Sequence, residues 1–446
     1  MVRRSTWVGL LVFGVACSGV PTPSTSTYVA TADEGDLAGW AIDSNGAFSV
    51  AMTPVDSEGS PVDGGAYTIA GACAAKNGTY DYRICTVASV TPARPSGTFP
   101  RATDSYFVLE LPGVAVVAAP LTNADAGKQA HVGIARGACG DFSGTYSFTR
   151  AGHRGFIPNL MGQFTLVGNS AGEILSIDSW HHGLVVNGQA STGSNADPIR
   201  VALITDPANA HPALLDAGTT SCANGVITAK QSVEVSVDGG TALQTVIVRI
   251  NATAAGGLLV DFPYGFGGAI GIRSTAAASI TDLLGKNYVI LGRTPTGADL
   301  FNVTVDGDAG VTVNSTLLSS GATGFVGKLV ALSNPIVDAY FGAANIVDAY
   351  NPIQGTSSFG PPDGGRALAP SPASFAGFFA IVDSQNRLGT ADNVGEAIIF
   401  LAQKSSSGIF LTGAVADVNH PGSFSCILQY GYQLYCLAGP FIGFSR

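Results

Sequence analysis

Residues 232–240 read SVEVSVDGG, and residues 245–250 follow as TVIVRI. In the first stretch Val233, Val235 and Val237 alternate with Ser232, Glu234 and Ser236, the pattern of a strand with one wet face. Asp238-Gly239-Gly240 then supplies residue types that tolerate the positive φ of a tight hairpin turn. Strand, turn and strand repeat in both directions along the chain. Short apolar or alternating runs occur at 106–111, 162–167, 199–204, 258–262, 287–291, 397–402 and 409–415. Asn77-Gly78, Asp306-Gly307 and Asp363-Gly364-Gly365 punctuate them. Helical periodicity is nearly absent, and 274–284 is the one stretch that reads as a helical turn. The expectation is an all-β chain of two or three antiparallel sandwich or barrel domains, the two ways of hiding many strand edges.

Composition sets the outer limits. The chain has 446 residues, 58 glycines and only 12% charged residues, against about 25% charged in ordinary globular domains. An apolar fraction of 46% excludes a disordered chain. The net charge of −10 argues against nucleic-acid binding by phosphate neutralisation. Domain limits are expected near 36–136, 137–272 and 273–446, with a Pro/Gly-rich loop at 355–372.

The N-terminus reads as an export signal. Arg3 and Arg4 form a basic start, and Val8 to Ala16 is apolar but too short to span a bilayer of about 30 Å. Cys17 follows at once, and Ser18 to Thr27 is rich in Pro, Ser and Thr. A short signal (1–16), a cysteine at the cut and a polar leader (17–35) resemble the bacterial lipoprotein class. That resemblance implies a diacylglycerol on Cys17, a flexible tether and a cell-envelope location, with the outer membrane the expected site. Gly14 stands where the class favours Leu, and Gly14-Val15-Ala16 also suits an ordinary signal peptidase, so free secretion is the alternative.

Removing Cys17 leaves six cysteines: Cys73, Cys85, Cys139, Cys222, Cys426 and Cys436. An even number in an exported chain suits disulfides, and six permit 15 connectivities. One pair is argued from its own sequence. Residues 426–436 read CILQYGYQLYC, nearly palindromic about Gly431, so a hairpin there sets Cys426 opposite Cys436.

An internal repeat is present. Gly71-Ala72-Cys73 followed by residues 77–82 (NGTYDY) aligns without gaps on Gly137-Ala138-Cys139 followed by residues 143–148 (SGTYSF). Each copy is expected to open the first strand of a β unit. Residues 139–190 also resemble a β-rich module of secreted bacterial proteins of unassigned function. The likeness lies in residues 144–148 (GTYSF), 162–165 (GQFT), a glycine-rich turn at 168–172 and a return strand at 173–177. It implies no catalytic residues.

Candidate chemistry gives way to simpler readings. Gly168-Asn169-Ser170-Ala171-Gly172 matches a nucleophile elbow, but no α/β alternation surrounds it, so Ser170 is read as a hairpin-turn residue. His181 and His182 are adjacent and would face opposite sides of a strand. His131, His153, His211 and His420 show no ligand spacing and are read as surface or loop residues, so no metal is expected. Asp306 to Gly310 starts like a calcium loop, but Leu317 stands where the bidentate Glu belongs. Residues 264–271 approach a dinucleotide fingerprint with Ile270 in place of a required glycine, so no cofactor is expected. Trp40, Trp180, Tyr430 and Tyr432 are the candidates for stacking on sugar rings if exposed. The sequons at Asn77, Asn251, Asn302 and Asn314 are read as chance. The functional expectation is a surface-anchored or secreted, non-enzymatic protein for adhesion, envelope structure or ligand capture, with glycan or envelope protein as partner. A hydrolase acting on polysaccharide or peptide is the alternative.

Overall fold

A computed structural model describes residues 24–445, apart from 33–35, 57, 77–81, 96–97, 122–129, 141, 152–158, 169–173, 185–198, 203–219, 238–239, 262–267, 295–296, 316–324, 332–345, 349–375, 384–395 and 418–440. Cys17, His153, Ser170, His211, His420, Cys426, Tyr430, Tyr432 and Cys436 lie outside the described residues.

The first eight strands are β1 (Thr25–Ala32), β2 (Leu37–Asp43), β3 (Ala47–Thr53), β4 (Tyr67–Cys73), β5 (Arg83–Thr91), β6 (Ser105–Leu111), β7 (Ala115–Pro120) and β8 (His131–Ala135). They run as an antiparallel meander and close into a barrel where Val29 of β1 meets Ile134 of β8. The two-residue period decides what fills it. In β2, Ala38, Trp40 and Ile42 are buried while Leu37, Gly39, Ala41 and Asp43 are only partly so. In β3, Phe48, Val50 and Met52 point inward. β6 and β7 are apolar on both faces for a different reason. Tyr106, Val108, Val116 and Ala118 fill the barrel, while Phe107, Leu109, Leu111, Val117 and Ala119 pack outward against the rest of the molecule.

The central sheet is open and has ten strands. β9 (Gly144–Ala151), β10 (Asn159–Gly168), β11 (Ile174–Leu184) and β12 (Ile199–Ala202) form one meander. β13 (Ser221–Ala223), β14 (Val226–Val237), β15 (Gly240–Ala252), β16 (Gly257–Asp261) and β17 (Gly268–Arg273) form another, and the two join where β9 pairs β17. The SVEVSV stretch is the end of β14 and pairs with the start of β15, Val237 opposite Gly240. A three-residue strand much later in the chain, Ile346–Asp348, adds to β11.

A 3-10 turn (Ser274–Ala276) and the one-turn helix α1 (Ile280–Leu283) lead into the second barrel. Its first four strands are β18 (Lys286–Thr294), β19 (Gly297–Val305), β20 (Gly310–Ser315) and β21 (Phe325–Ala331). Counting Ile346–Asp348 as β22, the rest are β23 (Phe378–Asp383), β24 (Glu396–Ser405), β25 (Gly408–Asp417) and β26 (Phe441–Ser445). β26 returns to β18 and closes the ring. Its interior holds Tyr288, Ile290, Val303, Val305, Leu329, Phe379 and Phe400, with Leu283 of α1 packed among them. Tyr288 donates its hydroxyl to the Leu283 carbonyl (3.1 Å), which ties the helix to the first barrel strand it precedes.

The three sheets share a core. Val29, Leu109, Val117 and Ile134 from the outside of the first barrel pack with Leu259, Ile270 and Ile272 of the central sheet. Val289, Leu291, Leu300, Phe378, Leu401 and Phe410 of the second barrel complete the same cluster. Hydrogen bonds cross the seams as well, Ser147 Oγ to the Ala376 carbonyl (2.9 Å) and Ser407 Oγ to the Pro112 carbonyl (3.2 Å).

Two expectations are corrected here. Residues 25–32 were expected in the flexible tether, yet they form β1, with Tyr28 and Ala30 inside the barrel. Thr, Tyr and Val favour strands, and that preference outweighs the Ser/Thr content once β2 and β8 offer edges. The stretch between Cys17 and the barrel is therefore residues 18–24. The first copy of the repeat does not open a β unit either. Its cysteine ends β4 and is bonded to Cys85 directly opposite on β5. The second copy does begin a sheet, because residues 144–148 start β9.

Candidate functional site

Buried polar side chains gather at three levels of the first barrel and its seam. At one end, the Tyr28 hydroxyl donates to Glu110 Oε1 (2.8 Å), and Arg83 Nη2 lies 4.0 Å from Glu110 Oε2. All three sit on the inward parity of β1, β6 and β5, so a carboxylate is held inside the barrel by a phenol and a guanidinium. Burial, with the Glu110 charge beside it, pushes the Tyr28 phenol far above its ordinary value.

Trp40 and His131 occupy the middle. Trp40 donates its indole N–H to His131 Nδ1 (3.0 Å). The imidazole also packs edgewise on Trp40 and tilted on Tyr106, with ring centroids 5.6 and 5.9 Å apart. Burial pushes the His131 pKa down to about 4, so the ring is neutral at pH 7 and can accept the indole proton. His131 is thus a core residue, not the surface or loop histidine expected. Trp40, a candidate for sugar stacking, is only 1% exposed and serves the barrel interior instead.

The third cluster lies in the seam between the first barrel and the central sheet. Thr31 donates its hydroxyl to Asp261 Oδ1 (2.5 Å), and Arg249 Nη1 lies 3.8 Å from Asp261 Oδ2. Arg249 Nη2 donates to the Gly59 carbonyl, and the Ile247 N–H donates to the Glu58 carbonyl (2.7 Å). The loop between β3 and β4 is thereby fastened onto β15. Burial pushes Asp261 up to about 7, against the lowering effects of the Thr31 bond and the Arg249 charge. Such a group can hold or release a proton near neutrality. Its immediate partners, Thr31 and Arg249, are themselves buried, and together they form a joint between sheets.

The structure pairs four of the six candidate cysteines, as Cys73–Cys85 and Cys139–Cys222. The first bridges neighbouring strands, and the second ties the approach to β9 to the edge strand β13. Gly168 ends β10 and faces Ile174 of the antiparallel β11, so the Gly168–Gly172 motif connects two strands, not a strand and a helix. Trp180, His181 and His182 are consecutive in β11. The Asp306 turn is a hairpin between β19 and β20, where Asp306 Oδ1 accepts the N–H groups of Asp308 (2.8 Å) and Gly310 (2.7 Å). The same arrangement recurs at Asp43 and Asp56, so Asp306 has the backbone-turn role of those two. Asn251 is 1% exposed, accepts from the Gly137 N–H and donates to the Ala135 carbonyl (both 3.0 Å), which leaves it committed to the fold. Among the described residues no group of three or more metal-ligating side chains converges.

Sequence reasoning missed Arg249, Asp261, Glu110 and His131. A usable signal existed for the first three, since each is a charge placed within or at the end of an apolar strand run. No family model matches the chain, and no curated protein does.

Proposed function

We propose that the protein is an exported β-scaffold, held in the cell envelope by lipid on Cys17, that captures a glycan or envelope component without chemical turnover. The observation that carries this reading is how the two barrels are filled. Trp40, Tyr28, Tyr106 and Phe48 pack one interior, and Tyr288, Phe379, Phe400 and Leu283 pack the other. Interiors of this kind serve as cores, and partners then meet loops and rims. Two disulfides agree with an oxidising compartment outside the cytoplasm. The anchor follows from the N-terminal residues. Two or more acyl chains hold a protein firmly at a membrane, whereas one binds marginally. Residues 18–24 would allow a standoff of up to about 25 Å.

The test is capture on a broad panel of glycans and envelope components, using mature protein that starts at Ser18. Binding with the panel molecules recovered intact is the expected result. Shortened glycan or peptide products would replace this reading with that of a hydrolase. Separately, Cys17→Ser should move the protein from the detergent-soluble membrane fraction to the soluble or medium fraction. Wild-type protein that is already soluble, with no acyl mass on its N-terminus, means free secretion.

A further inference from the structure

The end of the first barrel opposite Glu110 is built unlike the other. Tyr106 is fully buried, and its hydroxyl has no hydrogen-bond partner. A buried hydroxyl left unpaired is costly and calls for a reason. The ring beside it belongs to Phe99, from the connection between β5 and β6, with centroids 5.3 Å apart at 67°. Phe99 is 6% exposed and sits with the barrel residues, yet it belongs to no strand. It is held there by Arg94, which donates Nη1 to the Phe99 carbonyl (2.5 Å) and to the Tyr67 hydroxyl (3.2 Å). Arg94 also lies 4.4 Å above the Tyr67 ring. Just after Phe99 the chain passes through Thr103 at φ 78°, an unusual conformation for a β-branched residue. Strain of that kind gathers at ligand clamps and switch segments.

We propose that this barrel end is a binding site for a small aromatic ring bearing a hydroxyl, the phenol class, and that Phe99 occupies the ring position in the conformation described. Phe99 supplies the ring and no polar atom, so the Tyr106 hydroxyl stays unpaired while Phe99 is in place. A phenol in the same position would keep the edge-to-face contact with Tyr106 and could turn its hydroxyl towards the Tyr106 hydroxyl as a partner. The site becomes available when Thr98–Ala102 lifts away, with Thr103 and Asp104 still bonded to Val87 of β5, and Arg94 releases the Phe99 carbonyl. The apparent affinity of the wild type is therefore reduced by the fraction of molecules in the open form. This goes beyond the proposed function, because it names a ligand class for one end of a barrel, beneath the β5–β6 connection, and does not depend on the anchor.

The test uses the mature chain from Ser18 and calorimetric titration with phenol and with toluene, which has the same ring and no hydroxyl. Phe99→Ala should bind phenol at least tenfold more tightly than wild type and prefer it to toluene by about tenfold. Adding Tyr106→Phe should remove that preference. Equal binding of phenol and toluene by Phe99→Ala would mean a plain apolar hole and overturn the assignment. So would binding of neither by a variant with a wild-type circular dichroism spectrum. Should Phe99→Ala not fold, Arg94→Gln decides, because it frees the strap while leaving the ring in place. It should tighten phenol binding severalfold over wild type, and an unchanged affinity overturns the proposal.

Discussion

Two buried titratable residues act on stability in opposite directions over nearly the same pH range. His131 has a folded pKa near 4 against an ordinary 6.5, so the unfolded chain binds its proton first as pH falls. Its contribution is lost as pH drops from 6.5 towards 4. Asp261 has a folded pKa near 7 against an ordinary 3.8, so the native state keeps a proton that the unfolded chain gives up. Its contribution is full below 3.8 and is lost as pH rises to 7. In the wild type the two slopes offset each other. His131→Gln, which still offers Trp40 an acceptor, should leave a protein whose stability falls steadily from pH 4 to 7. Asp261→Asn should give the reverse trend, rising from pH 4 to about 6.5. Urea midpoints taken at each pH unit would read both, and variants that kept the wild-type profile would show that neither group titrates as described.

At the scale of elements, the repeat noticed in the sequence acquires a physical meaning. The first glycine of each copy stands where the backbone has no room. A Cβ on Gly71 would lie 2.1 Å from the Thr86 carbonyl oxygen, and one on Gly137 would lie 1.6 Å from that of Ala252. Gly140, three residues on, would meet nothing within 4 Å. Gly137→Ala should therefore cost about 3 kcal/mol or more, or prevent folding, while Gly140→Ala should fall within about 0.5 kcal/mol of wild type. Thermal melts of the two variants side by side check this, and similar melting temperatures would refute the close approach. What could be read from sequence at this scale was whatever repeats locally. The alternation in Ser232–Val237, the Asp306-Gly307 turn between β19 and β20, and the helical turn near 274–284 became elements where expected. β1 was missed because its Ser and Thr residues also suit a tether, and only its partners β2 and β8 decide between the two.

For the whole molecule, legibility ends where contacts become distant. Trp40 meets His131 across 91 residues and Thr31 meets Asp261 across 230, and no local pattern marks such pairs. Closure of the barrels depends on β1 finding β8 and β18 finding β26, which the sequence left open between barrel and sandwich. The disulfides divide by the same measure. Cys73–Cys85 spans 12 residues and Cys139–Cys222 spans 83. In the chain-entropy model these loops correspond to roughly 3 and 4.5 kcal/mol. Replacing Cys139 and Cys222 by Ala should thus lower stability by about 1.5 kcal/mol more than replacing Cys73 and Cys85. Equal losses by denaturant titration would show that strain or residual structure, not loop length, sets the effect.

The closure of the second barrel also fixes an order in time. Tyr288 pairs with Ser445, so β18 is made long before the strand that covers its edge. Chains grow at about 5–20 residues per second, which leaves roughly 8–30 s between the two. The first barrel has all eight of its strands by Ala135 and can be sealed well before then. During that wait the outer edge of β18 stays bare, and once β25 is made the open sheet has a second bare edge there until β26 arrives, each able to accept a strand from another molecule. Among the described strands, those two edges are guarded last.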